Sequence, residues 1–258
     1  INLGGTAIGT GINAPFGYAD LACQYLAEES GIPVVKAGNL IEATQDTGGF
    51  VQLSGVLKRV ATKLSKICND LRLLSSGPQA GLGEIDLPAR QAGSSIMPGK
   101  VNPVIPEVVN QVAFAIMGSD TTVTAAAEAG QLQLNAFEPI IAASILQSVV
   151  WLTNACRTLR INCVDGITAN LDKLHQQVEA SVGVVTALTP YIGYSKATMI
   201  AHQALAGEGT VRELVIAQGL MESEELDRVL SPERLSGLIM ATGIITLPPL
   251  DEDPELAG

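Results

Sequence analysis

The chain has 258 residues and carries 15 Lys and Arg against 26 Asp and Glu, a formal charge of −11. That length allows one large domain or two modest ones, with ample buried core. The acidic balance and the 3% aromatic content leave neither the cations nor the stacking platforms of a nucleic-acid binder, so nucleic acid is excluded as a partner. The 47% hydrophobic content is almost entirely aliphatic plus alanine, which suits tightly packed helices.

At the N-terminus, Ile1-Asn2-Leu3-Gly4-Gly5 has no charged n-region, no apolar h-region and no initiator Met. The run Gly4 to Gly11 invites a nucleotide reading, but no strand precedes it and its glycine spacing misses the dinucleotide fingerprint. The first strong helical signal spans 53–74. There Leu53, Leu57, Val60, Leu64, Ile67, Leu71 and Leu74 recur at alternating steps of four and three, a heptad seam. Ser75-Ser76-Gly77-Pro78 ends it, with a glycine for a left-handed cap and a proline that cannot continue the helix.

Residues 77–103 have a different character, punctuated by Gly77, Pro78, Gly81, Gly83, Pro88, Gly93, Pro98, Gly99 and Pro103. Connections of that length are usually functional or disordered. Val104, Val108, Val112 and Ile116 then mark another apolar helical face. A second seam runs Ile141, Ile145, Val149, Leu152, Cys156, Leu159, Cys163, and a weaker third runs Leu174, Val178, Val182, Val185. Long helices with narrow seams bury little alone, so they imply a bundle shared between subunits. No stretch alternates with period two, which predicts almost no sheet.

After about residue 190 short helices take over. Thr210-Val211-Arg212-Glu213 reads as a capping box, and Ser231-Pro232 as an N-cap followed by proline at the first helical position. The acids between Glu222 and Asp227 read as a first turn and exposed face, and 239–258 as a solvated acidic tail. The predicted fold is therefore all-α: a long-helix bundle over 1–189, a small C-terminal helical domain over 190–238, and the tail.

His175 and His202 lie inside helical patterns with no cysteine or carboxylate at metal-ligand spacing, so no metal site is predicted. Cys23, Cys68, Cys156 and Cys163 are scattered; the nearest pair, 156 and 163, would be roughly 10 Å apart along a helix, too far for a disulfide. Reduced thiols point to the cytoplasm. The apolar stretch Leu238–Leu250 contains two prolines and is too short to cross a bilayer, so a soluble protein is expected, with no membrane partner.

The most informative segment is Gly93-Ser94-Ser95-Ile96-Met97-Pro98-Gly99-Lys100-Val101-Asn102-Pro103. It is not a P-loop, which needs four residues between its glycines and a Ser or Thr after the lysine. It presents two hydroxyls, a lysine and an amide ahead of a helix starting near Pro103. Those groups suit a small dicarboxylate, held by the cation, the amide and backbone N–H groups; a solvated linker with serine-capped turns reads equally well from composition.

That run resembles the signature loop of the aspartase/fumarase superfamily, whose members release fumarate from succinyl-type substrates by reversible elimination. Gly4–Gly11, Ser65–Pro78 and Gly183–Leu188 are similar to superfamily segments too, and the resemblance covers 1–238. Pro106-Glu107-Val108-Val109-Asn110-Gln111, then Glu128-Ala129-Gly130-Gln131-Leu132-Gln133-Leu134-Asn135 and Glu138-Pro139, resemble the aspartate ammonia-lyase branch. Fumarases read closer to Gly-Asn-Phe-Glu-Leu-Asn followed by Arg-Pro or Lys-Pro. The resemblance thus implies a carbon-nitrogen lyase that converts L-aspartate to fumarate and ammonia. A fumarase acting on malate is the alternative, and a non-catalytic helical oligomerisation fragment is a third reading.

Carried over residue by residue, the resemblance makes Ser94 the general base, and Ser95, Lys100 and Asn102 the groups that bind the carboxylate and stabilise an enediolate. Glu107 matches a family glutamate that pairs with a histidine of another subunit. It implies no required cofactor, although some relatives are activated by a divalent cation whose site cannot be placed here. It also implies a homo-oligomer, a tetramer with active sites assembled from three segments on three subunits. This sequence contains the third segment and lacks the upstream Thr-His segment, so it is expected to be the C-terminal portion of a longer enzyme and inactive by itself.

Overall fold

The computed structural model describes residues 1–77, 80–91, 97, 101–237, 239–240 and 243–244. Among these, eleven α-helices account for nearly all regular structure, and the only strands are two-residue pieces. The all-α expectation agrees with this. The chain divides into two compact units, 1–169 and 170–258.

The first unit is built on three long helices, α3 (Gly48–Leu74), α4 (Val104–Glu128) and α5 (Glu138–Asn162), preceded by the shorter α1 (Tyr18–Ser30) and α2 (Leu40–Gln45). The glycines of the 4–11 run serve packing: a Cβ on Gly9 would lie 2.2 Å from the Leu40 carbonyl oxygen, and one on Gly4 2.6 Å from the Ala19 Cβ. Only glycine permits those approaches, and both residues have positive φ.

Three apolar layers run along the bundle. The first holds Cys68, Val109, Leu159 and Cys163, the middle Ala61, Ala113, Ile116 and Leu152, and the last Val123, Ala126, Ile141 and Ile145. On α3 the fully buried line is Ser54, Ala61, Ser65 and Cys68, small residues that bring the helix axes close, with Leu57, Leu64 and Leu71 flanking them. The heptad seam therefore splits, because Leu53, Val60 and Ile67 remain exposed. The face expected from Val104, Val108, Val112 and Ile116 is also rotated: Val108 is exposed, and the buried line is Val109, Ala113, Ile116 and Val123. Steps of four advance by about 40° beyond a full turn, so such a series drifts off one face, whereas mixed threes and fours stay on it.

Polar contacts fix the register of these helices. Asp120, buried, accepts from the Ser54 hydroxyl at 2.9 Å and the Lys58 ammonium at 2.5 Å. Asn135 links two helix ends: its amide nitrogen donates to the Ala126 and Ala127 carbonyls, and its Oδ1 accepts from Phe137 N–H at the start of α5. Helix α5 with the turn after it, 138–166, is long and apolar enough to cross a membrane by length and composition. Core helices pass the same test, and here Ile141, Ile145, Leu152 and Leu159 are buried against α3 and α4.

The stop of α3 differs from the glycine cap expected. Ser75 and Ser76 take the last carbonyls with their hydroxyls, at 2.7 Å to Leu71 O and 2.6 Å to Leu73 O. Gly77 has φ 140°, outside the left-handed helical region. The long connection also contains a strand, β1 (Ile85–Asp86), which pairs antiparallel with β2 (Thr168–Ala169).

The second unit contains α6 (Leu171–Ala180), α7 (Val185–Ile192), α8 (Tyr194–Leu205), α9 (Val211–Ala217), α10 (Ser223–Val229) and α11 (Pro232–Leu235), then β3 (Ile239–Met240) paired antiparallel with β4 (Gly243–Ile244). Residues 170–189, read from sequence with the bundle, lie in this unit, where Leu188 and Ile192 share a core with Ile200, Val215 and Leu226. The third seam is not one helix: α6 ends at Ala180, the Ser181 hydroxyl accepts from Gly183 N–H, and a three-ten turn over Val182–Val184 leads into α7. The capping box at Thr210 and Glu213 forms as expected. Pro232 opens α11, but the Ser231 side chain makes no capping bond. Apart from the backbone of Ile239–Met240 and Gly243–Ile244, the tail over 239–258 falls outside the described residues.

Candidate active site

Ser94, Ser95 and Lys100 lie outside the described residues; Asn102 and Glu107 lie within them. What the structure does place is the frame that holds both ends of that loop. On the entering side, Arg90 donates from Nε to the Asn162 carbonyl at 2.9 Å and from Nη2 to the Ile161 carbonyl at 3.3 Å. These are C-terminal carbonyls of α5, where a cation is favoured by the helix dipole. On the leaving side, Asn102 and Pro103 line a small concavity with Leu87, Pro88, Asn162 and Cys163. Both stems of the loop are thus fixed at one end of α5.

Asn102 is half-buried, and its carbonyl accepts from Val104 N–H at 2.8 Å where the chain turns into α4. The helix then opens with Pro103 at its N-cap and Pro106 in its first turn, where the missing N–H costs nothing. Glu107 sits in that first turn, a position favourable to an acid, with its side chain 41% exposed. Its Oε1 lies 4.0 Å from Arg72 Nε on α3.

Behind this pair is a network centred on the buried Asn110, absent from the candidates read from sequence. Asn110, 3% exposed, donates from Nδ2 to the Ser65 carbonyl (3.1 Å), the Ser65 hydroxyl (2.9 Å) and Asn69 Oδ1 (3.1 Å). Its Oδ1 accepts from Arg72 Nη1 at 3.5 Å. Ser65, Asn69 and Arg72 stand at i, i+4 and i+7, one stripe of α3 facing α4. That spacing, inside the 65–78 segment already singled out, was the available signal.

Two thiols lie under the same end of the bundle. Burial pushes the Cys68 thiol up to about 11, with nearby Cys163 adding to the effect and Arg72 opposing it. Cys163 is raised as well, by burial, against the pull of Arg90. Buried protonated thiols are poor nucleophiles, so both are packing residues. All four cysteines are free.

Elsewhere, His175 on α6 is exposed and lies 3.3 Å from Glu179, while His202 sits in the last turn of α8. Residues 1–169 contain no histidine, so Glu107 has none in its own unit. A cavity of about 700 Å³ in the second unit has mainly aliphatic walls, including Leu171, Leu174, Val178 and Leu230, and holds none of the assigned loop residues. Four of its ionisable groups pair with one another, His175 with Glu179 and Arg212 with Asp227, and Asp172 also lines it. Among the described residues no group of three or more His, Cys, Asp or Glu could hold a metal ion.

Residues 1–118 match the Lyase family and residues 184–237 the Fumarase C C-terminus family. An aspartate ammonia-lyase from Pseudomonas canavaninivorans is 61% identical over 235 residues, 91% of this chain and 50% of that protein. The chain thus carries one segment similar to the Lyase family and one similar to the Fumarase C C-terminus family. Two solved structures of similar fold set the range. The fumarate lyase:delta crystallin from Brucella melitensis, bound to cobalt, matches with a TM-score of 0.87 and 56% identity, over 92% of this chain and 51% of that one. A class II fumarase from Schistosoma mansoni matches with a TM-score of 0.83 and 35% identity, over 92% and 52%. The chain spans about half the length of the curated relatives it matches.

Proposed function

We propose that this chain supplies one part of an aspartate ammonia-lyase, which eliminates ammonia from L-aspartate to give fumarate. The observation that carries this reading is the identity gradient, 55–61% to aspartate ammonia-lyases against 35% to a class II fumarase. The placement of Asn102 and Glu107 at the opening of α4, beside the pinned stems of the loop, supports it.

In this proposal Ser94 removes a proton from the carbon next to the β-carboxylate. The electron pair moves into that carboxylate as an enediolate, then returns to form the double bond as the carbon–nitrogen bond breaks. A serine can serve as base only if its alkoxide is stabilised by oriented N–H groups and shielded from water. Ser95, Lys100 and Asn102 hold the carboxylate and stabilise the dianionic intermediate more than the ground state. Glu107 supports a histidine supplied by another subunit. No metal or organic cofactor is assigned a step.

The oligomer is part of the proposal. Leu53, Val60 and Ile67 on α3 and Leu146, Val150 and Trp151 on α5 form apolar stripes left open by the three-helix packing. A tetramer that covers them would bring segments of different subunits to each loop. The cytoplasm, where free thiols persist, is the proposed compartment.

The test is turnover of L-aspartate against malate, read as ammonia release and fumarate absorbance. Preference for L-aspartate in the protein of the relatives' full length, lost in Ser94→Ala with its oligomer intact, is the expected result. Malate preference would replace the reading with a fumarase. The 258-residue chain alone is expected to show no turnover, and substantial activity would overturn the shared-site arrangement.

A further inference from the structure

The 65–78 segment was singled out by sequence yet receives no role in the chemistry above. The structure shows what three of its residues do. Ser65 and Asn69 present acceptors to the Asn110 amide nitrogen from two levels of α3. With its nitrogen committed to them, the Asn110 amide can turn only its oxygen toward Arg72. Arg72 is therefore held at Nη1 by a buried side chain of α4, and its Nε faces Glu107, three residues earlier on the same helix.

We infer that Arg72 is a positioning residue for Glu107, a clamp between α3 and α4 that fixes where the Glu107 carboxylate stands. This rests on the proposed role of Glu107. An isolated pair at 4.0 Å with both side chains more than 40% exposed contributes little to stability. Its value lies in geometry: the planar guanidinium spans Glu107 and Asn110 at once, which an ammonium on a flexible stem cannot do. Arg72 is paired through Glu107 Oε1, and the 41% exposure of the Glu107 side chain leaves the carboxylate able to accept from an incoming donor.

The experiment is a double-mutant cycle on turnover in the active protein, with Arg72→Gln, Glu107→Gln and both together. If Arg72 acts through Glu107, Arg72→Gln lowers kcat roughly three- to tenfold with KM for L-aspartate within about twofold, and the double variant is no worse than Glu107→Gln alone. Fully multiplicative losses, or a change confined to KM, would overturn the inference. A crystal structure of the Arg72→Gln chain gives a readout that needs no activity. The Glu107 side chain is expected to leave its present position, and finding it unmoved overturns the inference on its own. A parent protein that does not turn over L-aspartate defeats the functional reading, and the crystal structure still decides the clamp.

Discussion

In the second unit Leu188, Ile200, Val215 and Leu226 close on one another around a single core, whereas the bundle of the first unit leaves Leu53, Phe114, Leu146 and Val150 on its outside. Most of the short helices of one meet around that core, although α6 buries no residue fully and Leu171 and Leu205 stay exposed. The long helices of the other satisfy one stripe each and carry a second that stays exposed among the described residues. Helix length is the reason. A helix of 25 or 27 residues offers more apolar surface than two neighbours at 8–10 Å can occupy. The bundle invests instead in polar cross-links, Asp120 with Ser54 and Lys58, and Asn110 with Ser65 and Asn69, which fix register where aliphatic packing alone would slide.

Paired truncations test that contrast most strongly. Leu226→Ala in the closed core is expected to cost about 2–5 kcal/mol in urea unfolding, since it removes a fully buried side chain. Leu146→Ala, on a residue 67% exposed, is expected to stay within about 0.5 kcal/mol and instead to weaken self-association in sedimentation. Equal stability losses would mean that the open stripe is covered from within the chain. Next in size is Asn110→Ala, expected at about 1–3 kcal/mol because Ser65 and Asn69 lose a buried donor; a negligible change in the unfolding midpoint would show that water replaces the amide.

The pH dependence separates the units further. Because the folded Cys68 thiol titrates near 11 and the unfolded one near 9, the folded state binds more protons between those values. Its contribution is complete below pH 9 and is lost as pH rises toward 11, and Cys68→Ala should flatten that alkaline decline. In the second unit the sign is opposite. Hydrogen bonds from the Thr210 backbone and side chain hold the Glu213 carboxyl below its ordinary value, so its contribution is present at neutral pH and lost as pH falls through that lowered value. Thr210→Ala should cost about 1 kcal/mol and weaken the acid-side slope. An unchanged slope would mean that the cap forms only transiently.

Strong local signals carried the sequence reading far. Heptad steps located α3 and α5, and the Thr210–Glu213 spacing located the start of α9. The reading failed where spacing continued across a break. Val182 and Val185 kept the apolar rhythm of α6 although Ser181 and Gly183 turn the chain there. Asn102 and Glu107 were singled out because they border a recognisable loop, and their part in the chemistry belongs to the proposal. Arg72 and Asn110 were not, because their meaning depends on a contact 38 residues apart in sequence, made only when α3 meets α4. Asn110 stands on the buried line of α4 between Val109 and Ala113, and a polar residue among buried neighbours is the kind of signal that calls for a partner.

The turn between α4 and α5 has a consequence for how this sequence can drift. Leu132 is 87% exposed with φ 51°, a conformation that glycine or asparagine would adopt with less strain, so that position should accept change readily. Three residues later, Asn135 closes one helix and starts the next with a single amide, and no other residue type offers a donor and an acceptor of that size together. Tolerance to substitution should therefore switch from permissive to strict within four residues, and an insertion between them would change the distance that one side chain has to span.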